Sequence, residues 1–389
     1  MERIHPLASD HDAKTEEVGA SEATCAMLLG RLDGLLSGLT DPEKRLFCWY
    51  FLRTSLLSAL TRSGYADAEH RFDAWFTGAG RGPEETPRTS LSARSIVRAI
   101  LADLSHHGWE PLAETARLAG RIGRFRSDRD DVQDQADAAQ ALQAAHGLAG
   151  RAVRSSAGPL PFPALGQLVE LARQDPRFAP ANRETRAIAV GGRIVSYEQD
   201  AAHGAIWALD FAWGEVASSC AAWHIPLPCP GASGPYLLAP HLWPGERRLA
   251  ICESTAKTVS ELIRMAETSR RHVRALAAAL SGLRSSSRAP DVWMAILGFA
   301  PFGIDQIADA FGMSRRGVYT VTETLASAGL LRRTTERGLV VFSGVEPEPI
   351  PAASAPVGVD ALPSPALAAF DAAMSEIDRL LSRQSERGL

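Results

Sequence analysis

The chain has 389 residues, enough for two or three compact domains. It is 46% hydrophobic, 22% charged and 7% aromatic, a balance that supports an apolar core and excludes a low-complexity or fully disordered polypeptide. The formal net charge of −4 excludes a generally basic nucleic-acid coat, so any affinity for a polyanion must come from a local basic surface.

Residues 1–20 are polar and are expected to be disordered. Residues 1–17 lack the apolar stretch of a secretory signal, and no apolar run reaches the ~18–20 residues of a membrane span. The segment 25–39 is apolar on one face but carries Arg31 and Asp33. A cytoplasmic protein with no membrane partner is the expectation. Cysteines 25, 48, 220, 229 and 252 are odd in number and scattered, which predicts free thiols.

From Ser21 the dominant period is helical. Leu28, Leu29, Leu32, Leu35, Leu36 and Leu39 form one face. Thr40-Asp41-Pro42-Glu43 sets a hydroxyl three residues before a carboxylate, with proline in the first turn, which starts a second helix. That helix, to about Ser63, is apolar nearly all round and is predicted at the domain centre. Helices follow over 66–76, 92–106, 111–121, 130–154 and 164–173, with Gly- and Pro-containing loops over 77–89 and 155–163. Strands 187–190 and 193–196 flank Gly191-Gly192, a hairpin signal. A helix is expected over 199–223, an extended loop with six prolines over 225–246, and a long connecting helix within 256–289.

Residues 290–343 then read as a winged helix-turn-helix. Val292, Ile296 and Leu297 mark a first helix, 299–303 a turn, and Ile304, Ile307, Ala308 and Phe311 the inner face of a second. Gly312 permits a left-handed turn, Met313 fills the crevice between helices, and Ser314 caps a third helix over 315–328. Val318, Val321, Thr322 and Leu325 face inward. Arg315, Arg316, Tyr319, Thr320 and Glu323 face away. Segments 330–333 and 339–342 form two strands around a polar tip, 334–338.

A helix in this position inserts its first outward residues into the major groove, where arginine donates two hydrogen bonds to guanine O6 and N7. Ser314, Arg315, Arg316, Tyr319 and Thr320 are therefore the candidate base-reading residues. Arg332, Arg333 and Arg337 are candidate phosphate contacts, which fix register without reading sequence. Between 314 and 342 five arginines face two glutamates, an excess of three positive charges on an acidic chain. Arg264, Arg270, Arg271, Arg274, Arg284 and Arg288, against Glu261 and Glu267, add an excess of four nearby.

After Ser343 the chain is Pro- and Ala-rich, a linker expected over 344–364. A separate amphipathic helix is expected over 365–389, with Leu367, Phe370, Met374, Ile377, Leu380 and Leu381 on its apolar stripe. The fold class is thus mainly α: a multi-helix N-terminal domain over 21–255 with one small β-hairpin, then the winged helix-turn-helix, then the terminal helix.

The run Leu283–Pro290, the helix-turn-helix, and the hairpin with its Thr335-Glu336-Arg337-Gly338 tip resemble a family of rhizobia and related alphaproteobacteria, over about 275–342. Its members pair an N-terminal domain of unknown function with a C-terminal helix-turn-helix and are often plasmid-encoded. The resemblance implies DNA binding and assigns no catalytic residue.

Other chemistries are weaker. Cys220, His224, Cys229 and His241 are of the right types for zinc but lack paired short spacings and stand among prolines. His106-His107 point to different faces and fit a helix end better than a chelate. No Gly-x-Ser-x-Gly, P-loop or Gly-x-Gly-x-x-Gly occurs, and Gly191-Gly192 is explained by its hairpin. Asp128-Arg129-Asp130-Asp131 reads as a solvated helix start, and Trp207, Phe211 and Trp213 as core. The expectation is a non-enzymatic regulator without cofactor or metal, binding double-stranded DNA as a homo-oligomer, with a small-molecule effector left open. The alternatives are an adaptor of a mobile genetic element that uses the same module for protein contacts, and an enzyme with an unrecognised site within 40–250.

Overall fold

A computed structural model describes residues 7–86, 89–126, 132–156, 158–178, 183–190, 193–200, 204–219, 223–239, 241–281 and 287–347. The described chain is mainly helical, with twelve α-helices, one two-stranded hairpin and one three-stranded antiparallel sheet. The expected helix 365–389 and most of the linker before it lie outside the described residues.

The centre is α2 (Asp41–Arg62), which buries Leu46, Phe47, Trp49, Phe51, Leu52, Leu56 and Leu60, residues that surround its axis. Its start is fixed as the sequence predicts: the Thr40 N–H donates to Glu43 Oε2 at 2.8 Å. Helices α3 (Ala68–Thr77), α4 (Ala93–Leu104) and α5 (Glu110–Ile122) pack around it. Helix α6 (Val132–Ser155) buries the small residues Ala138, Ala141, Ala145, Ala149 and Ala152 and packs on α4, α7 (Phe162–Gln174) and α8 (Leu209–Ser218). Strands β1 (Arg183–Val190) and β2 (Arg193–Asp200) pair antiparallel with Val190 opposite Arg193.

Four expectations change. The segment 7–20, expected to be disordered, belongs to α1 (Leu7–Ser37). Val18 is 8% exposed and Arg248 pairs with Glu22 at 2.7 Å, so that turn has a surface to pack on. The helix expected over 199–223 starts later: β2 runs to Asp200, a 3-10 turn covers Ala205–Ala208, and α8 follows. The expected connecting helix within 256–289 is the later part of α9 (Pro244–Ala279), which begins at a first-turn proline and buries Ile251, Cys252, Val259, Leu262 and Ile263 within the core, packing on α1 and α2. The loop before it is buried as well as extended. Asp210, at 2% exposure, accepts the Gly231 and Ser233 N–H groups at 2.8 Å and the Ser233 hydroxyl at 2.6 Å.

The fourth change concerns domain separation. Residues 289–344 form α10 (Ala289–Gly298), β3 (Phe302–Gly303), α11 (Ile304–Phe311), α12 (Arg315–Ser327), β4 (Leu331–Glu336) and β5 (Leu339–Gly344). The sheet order is β3-β5-β4, with Phe302 opposite Phe342 and Arg333 opposite Phe342 on the other side. The turn expected at 299–303 therefore contains a short strand. These elements share one core with the helical body, and the chain through Pro347 is a single compact unit. Phe299 and Phe302 sit against Phe76 at ring separations of 5.0 and 5.2 Å, and Trp49 lies 5.4 Å from Phe299. Gly298 lets α10 approach α2: a Cβ there would stand 2.6 Å from that of Trp49. Two apolar surfaces that each need covering have covered one another.

Candidate nucleic-acid interface

Helix α11 ends at Gly312, whose φ of 60° is left-handed. Two residues later the Ser314 hydroxyl accepts the Gly317 N–H at 3.2 Å and starts α12. Val318, Thr322 and Leu325 are buried, with Val321 half-buried beside them. The opposite face carries Arg315, Arg316, Tyr319, Thr320 and Glu323, all exposed. The five predicted base-reading positions thus occupy one exposed surface at the front of one helix. Arg315 is 73% exposed at its side chain and donates to Asp305 Oδ1 at 2.7 Å. Arg316 has no ion-pair partner among the described residues.

The three predicted phosphate contacts lie on the adjacent hairpin. Arg332 and Arg333 are exposed on β4, an edge strand, and Arg337 is at the tip. The first strand runs further than expected, to Glu336, while the second begins at Leu339 as expected, so the tip is only Arg337-Gly338. Both residues are left-handed, at φ 49° and 82°. A two-residue hairpin turn with two positive φ values favours Asn-Gly or Asp-Gly, so an arginine there is held at a cost. The buried end of the hairpin is pinned by Trp293, whose Nε1 donates to Leu330 O at 3.1 Å.

The second basic group counted along the sequence is not a basic surface of that size. Arg264, Arg270 and Arg288 each stand within 4 Å of a carboxylate, at 3.9 Å from Glu261, 3.9 Å from Glu43 and 3.8 Å from Asp291. Arg284 lies outside the described residues.

Residues that sequence reasoning missed line the other side of α11. Gln306, 2% exposed, reaches the Phe76 and Ile122 carbonyls of the body. Arg121 donates to the Asp309 and Ala310 carbonyls, and Arg124 pairs with Asp309 at 3.1 Å. A cleft of about 760 Å³ separates the start of α12 and the hairpin from the loop after α5, and Arg124, Arg126, Asp305 and Arg315 face it. The missed signal is the Arg-rich stretch Arg121-Ile122-Gly123-Arg124-Phe125-Arg126, which carries no motif on its own.

The histidines at 106, 107 and 224 have protein partners. His224 Nδ1 contacts Asp33 Oδ2 at 2.9 Å. Cys229 is fully buried, which pushes its thiol pKa well up, while Cys220 lies outside the described residues. Among the described residues no group of three or more His, Cys, Asp or Glu is arranged to hold a metal. His107 accepts the Trp109 N–H on Nδ1, so its Nε2 carries the proton and donates to Pro226 O at 3.0 Å. His106 contacts Ala102 O at 2.9 Å, at the end of α4. Trp207, Phe211 and Trp213 are buried core. Residues 128–131 and 191–192 lie outside the described residues. No described helix is long and apolar enough to cross a membrane.

No protein-family model matches the chain, and no curated protein matches it either. The functional reading therefore rests on the geometry.

Proposed function

We propose that residues 289–344 are a winged helix-turn-helix that binds double-stranded DNA, and that the protein is a transcriptional regulator. In this reading α11 and α12 are the helix-turn-helix and the β4–β5 hairpin is the wing. The observation that carries it is the first turn of α12: a Ser314-capped helix that presents Arg315 and Arg316 to solvent. Both guanidiniums stand in solvent, Arg316 without an ion pair among the described residues and Arg315 held by the exposed Asp305, and each fits the two acceptors of a guanine edge. Arg332, Arg333 and Arg337 stand on the hairpin that follows in sequence and are suited to the flanking phosphates.

The burial pattern supports the same face. Helix α12 hides Val318, Thr322 and Leu325 and leaves polar and charged groups outside. Two copies acting together enlarge an interface that is small for one module. The resemblance to the alphaproteobacterial helix-turn-helix family points the same way and adds no residue to the argument.

Fluorescence anisotropy against labelled genomic duplexes tests the proposal. Binding is expected to weaken steeply with salt, with a log–log slope of about −0.9 per phosphate contacted. Absence of binding at low salt refutes it.

A further inference from the structure

We infer that the groove between the β4–β5 hairpin and the helical body holds the phosphate backbone of the DNA that α12 contacts. This inference rests on the DNA-binding reading of α12 and extends the interface to residues outside the winged helix-turn-helix.

Two hollows make the groove. The first, about 760 Å³, begins at Arg315 and passes Arg124 and Arg126. The second, about 550 Å³, continues from Arg126 beneath Arg337 to Arg81 in the loop between α3 and α4 and to Arg94 in the first turn of α4. Gly78 and Arg126 line both, so the two are continuous.

Most acidic groups at the rim are already engaged by arginines. Arg71 is taken by Asp67 at 2.5 Å and by Glu84, Arg124 by Asp309, and Arg315 by Asp305. Arg81, Arg126 and Arg337 are exposed and make no ion pair among the described residues. They come from three separate parts of the chain: the α3–α4 loop, the segment after α5 and the hairpin tip. Their alignment along one groove is a product of the fold and has no trace in local sequence.

The floor between them is held low and fixed. Gly78, Gly80 and Gly82 place no side chains there. Gly78 is left-handed at φ 76°, and a Cβ on it would meet Arg124 Cβ at 3.1 Å. A Cβ on Gly82 would stand 3.0 Å from Trp75 Nε1. That same indole nitrogen donates to Arg126 O at 2.8 Å, so the arginine's backbone is set before any ligand arrives. The unpaired guanidiniums are strung along an open trough. A string of cations suits a chain of phosphates, whereas a compact anion needs them to converge on one point.

The test compares the full-length protein with the Arg81→Gln/Arg126→Gln variant on two duplexes. One ends at the α12 site, and the other continues past it for a further helical turn on each side. Thermal melts confirm that the variant folds, since both side chains are exposed. On the long duplex the variant is expected to lose about two units of salt slope and roughly 10- to 30-fold in affinity at ~0.15 M salt, with sequence preference unchanged. On the short duplex the two proteins are expected to bind alike. Equal binding of variant and wild type to the long duplex overturns the inference and leaves the α12 reading standing. An equal loss on both duplexes also overturns it, because the arginines would then act within the α12 site. Wild-type protein that binds neither duplex refutes the DNA reading, and the groove assignment falls with it.

Discussion

The side-chain amide of Gln306 donates to Phe76 O at 3.0 Å and to Ile122 O at 3.1 Å, the carbonyls that end α3 and α5. Its Oε1 accepts the Gly303 N–H at 2.9 Å. One buried side chain therefore caps two helices of the body and the start of α11. It sets the angle at which α11, and α12 after it, stands on the body. Phe76 O also accepts the Arg124 N–H at 2.9 Å, while no second partner of Ile122 O is seen among the described residues.

Replacing Gln306 with Leu keeps the volume and removes all three bonds. It is expected to cost about 1–3 kcal/mol, because a buried carbonyl is left without a donor. Urea unfolding checks this: the midpoint should fall with little change in slope. Gln306→Glu should cost more, since it turns a carboxylate oxygen toward the two carbonyls.

The tip of the β4–β5 hairpin separates binding from stability. Arg337 occupies a left-handed conformation that asparagine tolerates better. Arg337→Asn is expected to leave the melting temperature unchanged or slightly raised, by less than about 1 kcal/mol in stability. It should weaken binding to all duplexes alike and lower the salt slope by about one unit. Melts and anisotropy on the same preparation read both.

Asp305 restrains Arg315. The pair is exposed on both sides, so it contributes little to folding, under about 0.5 kcal/mol. Asp305→Asn should release the guanidinium and remove an anion from the proposed DNA-facing surface. Affinity is expected to rise several-fold at low salt, with the gain fading as salt screens it. Unchanged or weaker binding would show that Asp305 positions Arg315 rather than occupying it.

His146 gives the body a pH dependence. Burial alone lowers its pKa, but Asp103, which accepts its Nε2 proton at 3.0 Å, and Glu215, whose Oε1 lies 2.8 Å from Nδ1, outweigh that and hold it at about 10. Its folded pKa thus exceeds the unfolded value near 6.5, so its charge stabilises fully below ~6.5 and is lost as pH rises through about 10. Unfolding free energy should fall by about 2–4 kcal/mol over that window. His146→Leu should flatten that part of the profile in pH-resolved denaturation.

Much of this was legible in the sequence where a short segment determines its own geometry. Ser314 beside two arginines and Gly312 two residues earlier each act through bonds a few residues long, whereas the tip was expected over 334–338 and is only Arg337-Gly338. The α12 face was readable for the same reason: its period alone separates Val318 and Leu325 from Arg315 and Tyr319. What stayed hidden depends on contacts across the chain. Gln306 looked like an ordinary polar residue because Phe76 and Ile122 are 230 and 184 positions away. Pro244 reads equally as loop punctuation and as a helix start. Arg81 and Arg126 share a groove with Arg337 because the rings of Phe76, Phe125, Phe299 and Phe302 pack together across the chain. That packing also explains why a separate C-terminal domain was expected and a shared core was found.

The central claim is that Arg315 and Arg316 read base edges. Random duplexes are passed over the wild-type protein, and affinities are then measured for the enriched site and a scrambled control, with wild type and with Arg315→Ala/Arg316→Ala. The account predicts a wild-type preference of at least ~100-fold, and a double variant that still binds in a salt-dependent way but favours neither duplex. An unchanged preference in the double variant, or a wild-type protein that enriches no sequence, would contradict it.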